Sequence, residues 1–459
     1  MLDEIYEDLY EEIDKLIEEK NYSRIRALLY EKEPADVALL FEEFPPEKYT
    51  LLFRILPKEF AAECFVEMDS DMQMAIVEAF SDAELGYVVD KLFVDDTVDI
   101  IEEMPASLVK RILAQATPEK RNMINQLLHY PKDSAGSIMT TEFVELSPEA
   151  TVSEAFQRIR KTGLKKETIY TCYVTDKQRR LIGVVTVKDM IIGGDDSKIE
   201  DLMETSIVSV NTHDDKEDVA RAMDKYDFLA IPVVDNESRL VGIVTFDDAM
   251  DVISEEDTED IEKMAAILPS DKPYLKTGIF ETWKKRIPWL LLLMISATFT
   301  GQIIAGFEDK LAAFSVLIAY IPMLMDTGGN CGSQASVTVI RGLSLGEIDF
   351  GDFFRIVWRE IRVSVLCGIT LAAANFVKLI LLDRMLFGNS DLTYAAIATV
   401  CLTLVAAVFI AKLVGATLPL LAEKLGFDPA VMASPFITTI VDALSLLIYF
   451  QFARMILRL

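Results

Sequence analysis

FITTIVDALSLLIYF, residues 436–450, is almost wholly apolar, yet it carries Asp442 at its middle with no basic residue within a turn. With its flanks (429–457) the run is long enough to cross a hydrocarbon core of about 30 Å, which takes about 20 helical residues. An ionisable group at that depth is costly unless it faces protein or water, so Asp442 is a functional candidate by position alone. A protonated Asp442 hydrogen-bonded inside a helix bundle is the competing account.

Working outward from this run, four further stretches are long and apolar enough to span: 287–306, 312–340, 361–382 and 392–422. Five crossings put the two termini on opposite sides. The acidic start of the chain has no basic stretch followed by an apolar one, so it is expected in the cytosol. Lys284, Lys285, Arg286, Arg341, Arg355, Arg359, Arg362 and Lys424 then lie on the cytosolic side, against Lys310, Arg384, Arg454 and Arg458 on the other, which agrees with the positive-inside rule. Apart from Arg362 at the cytosolic edge of its stretch, three more charges fall inside these stretches. Lys378 and Lys412 are expected near segment ends, snorkelling to the interface. The third, Asp326, belongs to PMLMDTGGNCGSQ (322–334), whose glycines, proline, Asn330 and Gln334 predict either broken backbone lining a cavity or close helix packing.

The remainder of the chain is of another kind. Of 459 residues with a formal net charge of −29, residues 281–459 hold 13 acids and 14 bases, leaving 61 acids and 31 bases for residues 1–280. So acidic a half repels nucleic acid and anionic headgroups, and a multivalent cation bridging its carboxylates would ease its self-repulsion. Cys64, Cys172, Cys331, Cys367 and Cys401 are scattered, as free thiols of a reducing compartment are, and not spaced for zinc. His129 and His213 stand alone, no nucleophile motif accompanies them, and no G-x-x-x-x-G-K-[ST] loop occurs, so the sequence shows no equipment for an enzyme or an ATP-driven pump.

Pro34, Pro46, Pro57, Asp69, Ser81, Pro105 and Pro118 punctuate residues 1–130 roughly every twelve positions, with short apolar-periodic runs between them. Such runs cannot bury a face alone, which predicts an all-α superhelical stack. Residues 131–253 hold a second repeat, of mixed α/β pattern: VTDKQRRLIGVVTVKD (174–189) recurs as VDNESRLVGIVTFDD (234–248), and IMTTEF (138–143) pairs with LMETSI (202–207). Each copy reads as strand, polar turn, strand and helix, with Thr186 and Asp189, or Thr245 and Asp248, at the helix start. The acidic DDAMDVISEEDTEDIEKMAAILPSDK (247–272) reads as one long helix joining this module to the membrane.

The paired copies resemble tandem CBS motifs, in which Thr186, Asp189, Thr245 and Asp248 would be candidates for holding ATP or another adenine nucleotide by its ribose. Simple helix capping explains the same residues. The whole order, with MDTGGNCGSQASVTVIRGLSLGEI (325–348) and DPAVMASPFITTIVDALSLLIYF (428–450), resembles the MgtE family of magnesium transporters. Ser445 departs from the glycine expected there, a change that bears on helix packing.

The resemblance implies a multi-domain fold: an acidic helical domain over 1–130, a tandem CBS module over 131–253 (131–198 and 199–253), a connecting helix over 254–280 and a membrane domain of five helices over 281–459. It further implies a homodimer in the bilayer of the inner membrane, with one pore on the two-fold axis and the C-terminus on the side opposite the cytosol. Asp442 from each copy, with Asn330, Ser434 and Thr438 beside it, would grip hydrated Mg2+. Regulatory Mg2+ would bind Asp95, Asp99, Asp248, Asp251, Glu256, Glu259, Asp260 and Asp428, closing the gate when the ion is abundant. A transporter of Co2+ or Mn2+, and a CBS-regulated nucleotide-sensing channel, are the other readings.

Overall fold

Prolines and short capping side chains decide where the first helices begin. The computed structural model describes residues 2–270, 274–307, 315–389, 392–432 and 434–457, and in it ten helices run from α1 (Leu2–Glu18) to α10 (Pro118–Leu127). Pro34, Pro46 and Pro118 sit at the start of their helices, where a missing N–H is no loss. Asp69 accepts the Met72 N–H at 2.7 Å, and Ser81 closes a capping box with Glu84. From there the packing is one of second neighbours: α3 (Pro34–Glu42) lies on α5 (Lys58–Val66), α4 (Pro46–Ile55) on α6 (Ser70–Ala79), α7 (Asp82–Lys91) on α9 (Ala106–Gln115), and α8 (Val94–Glu103) on α10. This is the expected superhelix, and its buried face is continuous because each helix completes the apolar stripe of the one before last.

The two copies of the second repeat fold alike. Strands β1 (Val144–Leu146), β2 (Thr171–Thr175) and β3 (Leu181–Thr186) form one sheet, parallel then antiparallel; β4 (Val210–Asn211), β5 (Ala230–Val234) and β6 (Leu240–Thr245) form the other in the same order. Val174 pairs with Gly183 in one sheet and Val233 with Gly242 in the other. The glycines are there for space: a Cβ on Gly183 would stand 2.3 Å from Met203 Sδ, and one on Gly242 2.6 Å from Met139 Sδ. Met139 and Met203 are the matching methionines of the paired IMTTEF and LMETSI segments. Helices α11 (Val152–Thr162), α12 (Val187–Ile192), α13 (Ile199–Leu202) and α14 (Lys216–Tyr226) complete the module.

Helix α15 (Phe246–Met264) is shorter than the helix expected over 247–272 or the connecting helix over 254–280. Ala266 takes a left-handed backbone (φ 55°), and the Ile267 N–H returns to the Glu262 carbonyl at 2.9 Å, a C-terminal cap that ends the helix. Pro269 follows. Residues 271–273 lie outside the described residues.

The chain divides into two compact units, 1–253 and 254–459. The second contains α16 (Ile279–Gly306), α17 (Ile321–Ser344), α18 (Phe353–Lys378, continued as a π-helix to Leu386), α19 (Tyr394–Lys424) and α20 (Ser434–Leu457). Among the described residues, four helical segments are long and apolar enough to cross a bilayer: Ile279–Gly306, Phe350–Leu386, Tyr394–Lys424 and Pro429–Leu457. The expected crossing at 312–340 is displaced, since its helix, α17, begins at Ile321 and runs to Ser344, and residues 312–314 are not among those described. At 24 residues α17 has the length of a span, about 36 Å at 1.5 Å per residue. Polar side chains along it account for its lower hydropathy.

Lys412 does not snorkel. It is 5% exposed and pairs with Glu360 of α18 at 3.8 Å, so the charge is neutralised inside the bundle rather than carried to an interface. Lys378 lies at the α-to-π junction of α18, short of the segment's end at Leu386, where it stands 3.2 Å from Asp383 and over the ring of Tyr320.

Candidate functional site

Helix α17 has two opposite faces, and the sequence of small and polar residues explains both. Gly328, Gly329, Gly332 and Ala335 are buried, while Asp326, Asn330, Gln334 and Thr338, spaced four apart, are exposed in the single chain. Spacing of four places the latter on one stripe. The buried glycines are sites of close approach. A Cβ on Gly328 would meet Ser445 Oγ and Val441 Cγ1 at 3.2 Å; on Gly329, Thr438 Cγ2 at 3.0 Å; on Gly332, Ile437 Cγ2 at 2.8 Å. On α19, a Cβ at Gly415 would stand only 2.1 Å from the Gly332 carbonyl oxygen. Helices α17 and α19 thus meet nearly backbone to backbone, and side chains of α20 lie directly on the glycine backbone of α17. Of the two alternatives for 322–334, continuous helix with close packing is what forms, and broken backbone is not found. Ser445, 2% exposed, fits over Gly328, so the departure from glycine is absorbed in this seam.

That packing positions α20. Thr438 lies against Gly329, next to Asn330, and one turn later Asp442 is half-buried, close enough to Asp326 for their charges to interact. Among the described residues neither carboxylate makes an ion pair. The Thr438 hydroxyl donates to the Pro435 carbonyl at 2.9 Å, leaving its oxygen lone pairs as the available group. Ser434 begins α20, but its side chain lies outside the described residues. Asp442 is therefore set near Asp326 and Thr438 against Gly329, while Asn330 and Gln334 lie on the exposed stripe that Asp326 begins. The helical spacing of 326, 330 and 334 was the signal for that stripe.

The acids near the end of α15 form a second group. Lys263 Nζ lies 2.5 Å from Asp428 and is also bonded to Glu259, while Ser344 Oγ donates to Asp260 at 2.9 Å. Burial alone would lower the Lys263 pKa, but the bonds to Asp428 and Glu259 outweigh it and hold the ammonium above the usual lysine range. Burial raises Asp260, with the Ser344 hydrogen bond opposing. Asp428 also accepts the Ala430 N–H at 2.7 Å, fixing the turn into α20. Glu259, Asp260 and Asp428 are thus gathered around one lysine; Glu256 is half-buried on the same helix and Asp251 exposed.

A third group centres on Asp95, which is 6% exposed at the start of α8 with its Oδ1 lacking any hydrogen-bond partner. Burial, then the charge of Asp248, pushes its carboxyl well above the ordinary range. Asp248 is itself raised to about 6 by burial, although Thr245 donates to it at 2.5 Å. Asp99 stands one turn further along α8, exposed. Sequence reasoning missed Glu142 and Glu167, each of which brings a carboxylate oxygen within 4.8 Å of one on Asp95. Only tertiary structure joins these positions, and no spacing in the chain signals them.

Thr186 and Asp189 cap α12: the Thr186 oxygen accepts the Asp189 N–H at 3.1 Å, and Asp189 accepts the Thr186 N–H at 3.1 Å. At the start of α15 Asp248 accepts from the Thr245 hydroxyl at 2.5 Å and from the Thr245 backbone N–H. The capping account is therefore realised in full at Thr186 and Asp189, and in part at Thr245 and Asp248.

Known proteins resemble the chain along the same divisions. A family of divalent cation transporters, MgtE, matches residues 321–452; the MgtE intracellular N domain matches 32–133, and the CBS domain 135–192 and 199–255. The magnesium transporter MgtE of Thermus thermophilus is 36% identical over 79% of this chain and 78% of its own, and that of Bacillus subtilis 34% identical over 84% of each. A crystal structure of the cytosolic domain of the Mg2+ channel MgtE in complex with ATP covers 52% of this chain and 98% of its own, at 33% identity and a TM-score of 0.50.

Proposed function

The chain belongs to the MgtE family of divalent cation transporters, and from that premise we propose that it carries Mg2+ across the cytoplasmic membrane through a pore lined by α17 and α20. One observation carries the assignment of the path: the stripe of Asp326, Asn330, Gln334 and Thr338 on α17, with Thr438 and Asp442 beside it, is left without a covering partner in one copy. Polar groups at membrane depth cannot face lipid at little cost, so the stripe must face water or a second copy. A homodimer with five spans per copy satisfies both, setting two Asp442 carboxylates around a single axis. Asn330, Thr438 and Ser434 then contact the waters of a hydrated ion, as suits a cation that dehydrates reluctantly.

Regulation rests on the acids. At low Mg2+ the acidic helical domain (1–130), the CBS module (131–253) and α15 repel one another and free the gate; at high Mg2+ bridged carboxylates draw them together and close it. Asp95, Asp99, Asp248, Asp251 and Glu256, and Glu259, Asp260 and Asp428 around Lys263, are the residues assigned to this role. The N-terminal domains lie in the cytosol and the C-terminus opposite. The relative's ATP complex supports a nucleotide at the CBS module, where Thr186, Asp189, Thr245 and Asp248 would have to add ribose contacts to their capping bonds. Co2+ and Mn2+ are competing cargo of the same chemistry.

The test is Mg2+ flux into proteoliposomes at stepped internal Mg2+. Wild type should conduct at low internal Mg2+ and slow as it rises, while Asp442→Ala should not conduct at either. Wild-type flux through the Ala variant would remove Asp442 from the path.

A further inference from the structure

We propose that the turn Gly163–Lys165 of the first CBS copy, with the bases on either side of it, docks on the anionic headgroups of the bilayer that the chain itself enters. The inference goes beyond the transport reading and needs only that the chain lies in a membrane, whatever ion it carries. RIRKTGLKK (158–166) holds five bases and no acid. The second copy builds the same elements without such a cluster. From helix start to strand end, residues 152–186 carry eight bases and three acids, against four bases and six acids in residues 216–245. Since both copies share one strand order, folding does not require the bases.

The turn is also an insertion. Twelve residues separate Thr162, the end of α11, from Val174, whereas seven separate Tyr226, the end of α14, from its counterpart Val233. The additional residues form a 3-10 turn, closed by the Lys166 N–H on the Gly163 carbonyl at 3.1 Å. Helix α11 holds it on one side. On the other the Glu167 N–H donates to the Glu142 carbonyl and the Val187 N–H to the Tyr170 carbonyl, both at 2.9 Å. At the tip Leu164 is 100% exposed, and Tyr170 beyond it is 67% exposed. Arg158, Arg160 and Lys161 before the tip and Lys165 after it are exposed, and among the described residues none of the four makes an ion pair.

An exposed leucine between lysines suits a surface that is anionic outside and apolar beneath. The leucine enters, the aliphatic stems of the lysines follow, and their ammonium groups stay with the phosphates. Tyrosine favours the same depth. The apolar helices of the same chain keep such a surface at high effective concentration. The acidity of the rest of the unit is no bar, since charges more than about 8 Å from the contact are largely screened at physiological salt. An acidic protein surface would match the bases but not the leucine.

Full-length protein in nanodiscs tests this, with phosphatidylcholine alone set against equal parts of phosphatidylcholine and phosphatidylglycerol. Trypsin cleavage after Lys161 and Lys165, followed by mass spectrometry and normalised to cleavage after the exposed Lys20, should slow about fivefold or more in the anionic discs. Leu164→Asp, at a fully exposed position, should leave the unfolding temperature unchanged and remove most of that protection. Equal cleavage in the two lipids would overturn docking on lipid, and is the result expected if the bases serve an acidic protein instead. Protection of the same size in neutral discs and in detergent would mean that protein, a second copy included, covers the turn, and would overturn it as well. Undiminished protection in the Leu164→Asp variant would show that the tip does not touch lipid, with the same consequence.

Discussion

Asp442 is the residue on which the proposed transport path turns, and its surroundings say what substitution should do. It is half-buried beside Asp326 and makes no ion pair among the described residues, so removing its charge relieves a repulsion rather than breaking a bond. Asp442→Asn is therefore expected to leave a folded protein by gel filtration while abolishing Mg2+ uptake measured with an ion-sensitive dye. Lys412 presents the opposite case. Its partner Glu360 has a buried Oε2, and Lys412→Met would strand that carboxylate, costing about 3–5 kcal/mol. The double variant Lys412→Met/Glu360→Gln should recover most of the loss in thermal unfolding, and an equally unstable double variant would show that the pair is not what holds α18 to α19. Asp442 was legible in the sequence because a carboxylate interrupts an apolar run; the buried state of Lys412 was not, since its partner lies on a helix half a domain away in the chain.

At the scale of elements, legibility followed the local signals. Proline and capping side chains marked the starts of the superhelical repeats, and the repeated strand, turn, strand and helix pattern marked both CBS copies, whereas the crossed contacts Gly183–Met203 and Gly242–Met139 between the copies came only with the structure. The end of α15 was missed because its left-handed terminator is Ala266 and not the usual glycine, so the acidic pattern appeared to run on. The glycine seam was seen but left between two readings, which only the packing of α17 on α19 and α20 could separate. That seam predicts its own sensitivity. Gly415→Ala would drive a methyl into the Gly332 carbonyl, with a cost of about 1–3 kcal/mol or a shift of α19, read as a lower unfolding temperature in detergent. Helix α15 offers a second check. If its acids take Mg2+ with those near Asp428, residues 247–266 should become resistant to protease at millimolar Mg2+, and cleavage at the same rate with and without the ion would refute that part of the gating scheme.

Across the whole molecule the dominant fact is charge: 61 acids against 31 bases before residue 281, with Asp95, Asp248 and Glu167 held where a carboxylate is worse off than in water. The sign of the pH dependence follows from the direction of their shifts. Acids whose folded-state pKa is raised, Asp248 to about 6 and Glu167 to about 8, bind more protons folded than unfolded once pH exceeds about 4, the ordinary carboxyl value. Stability is then lost as pH climbs from about 4 toward 8, opposite to the usual behaviour of a salt-bridged carboxylate. If a divalent cation takes the place of those protons, as the proposed regulation requires, its stabilising effect grows over the same interval. We expect the cation-free thermal midpoint of the full chain to fall between pH 5 and pH 8 and the Mg2+-induced increase to widen. General repulsion among surface acids would also lower the midpoint, but Glu167→Gln and Glu142→Gln distinguish the two, because they should flatten the pH response of the Mg2+ increase while leaving the surface charge nearly unaltered. A Mg2+ increase of constant size from pH 5 to pH 8 would mean that the buried acids take no part in sensing the ion.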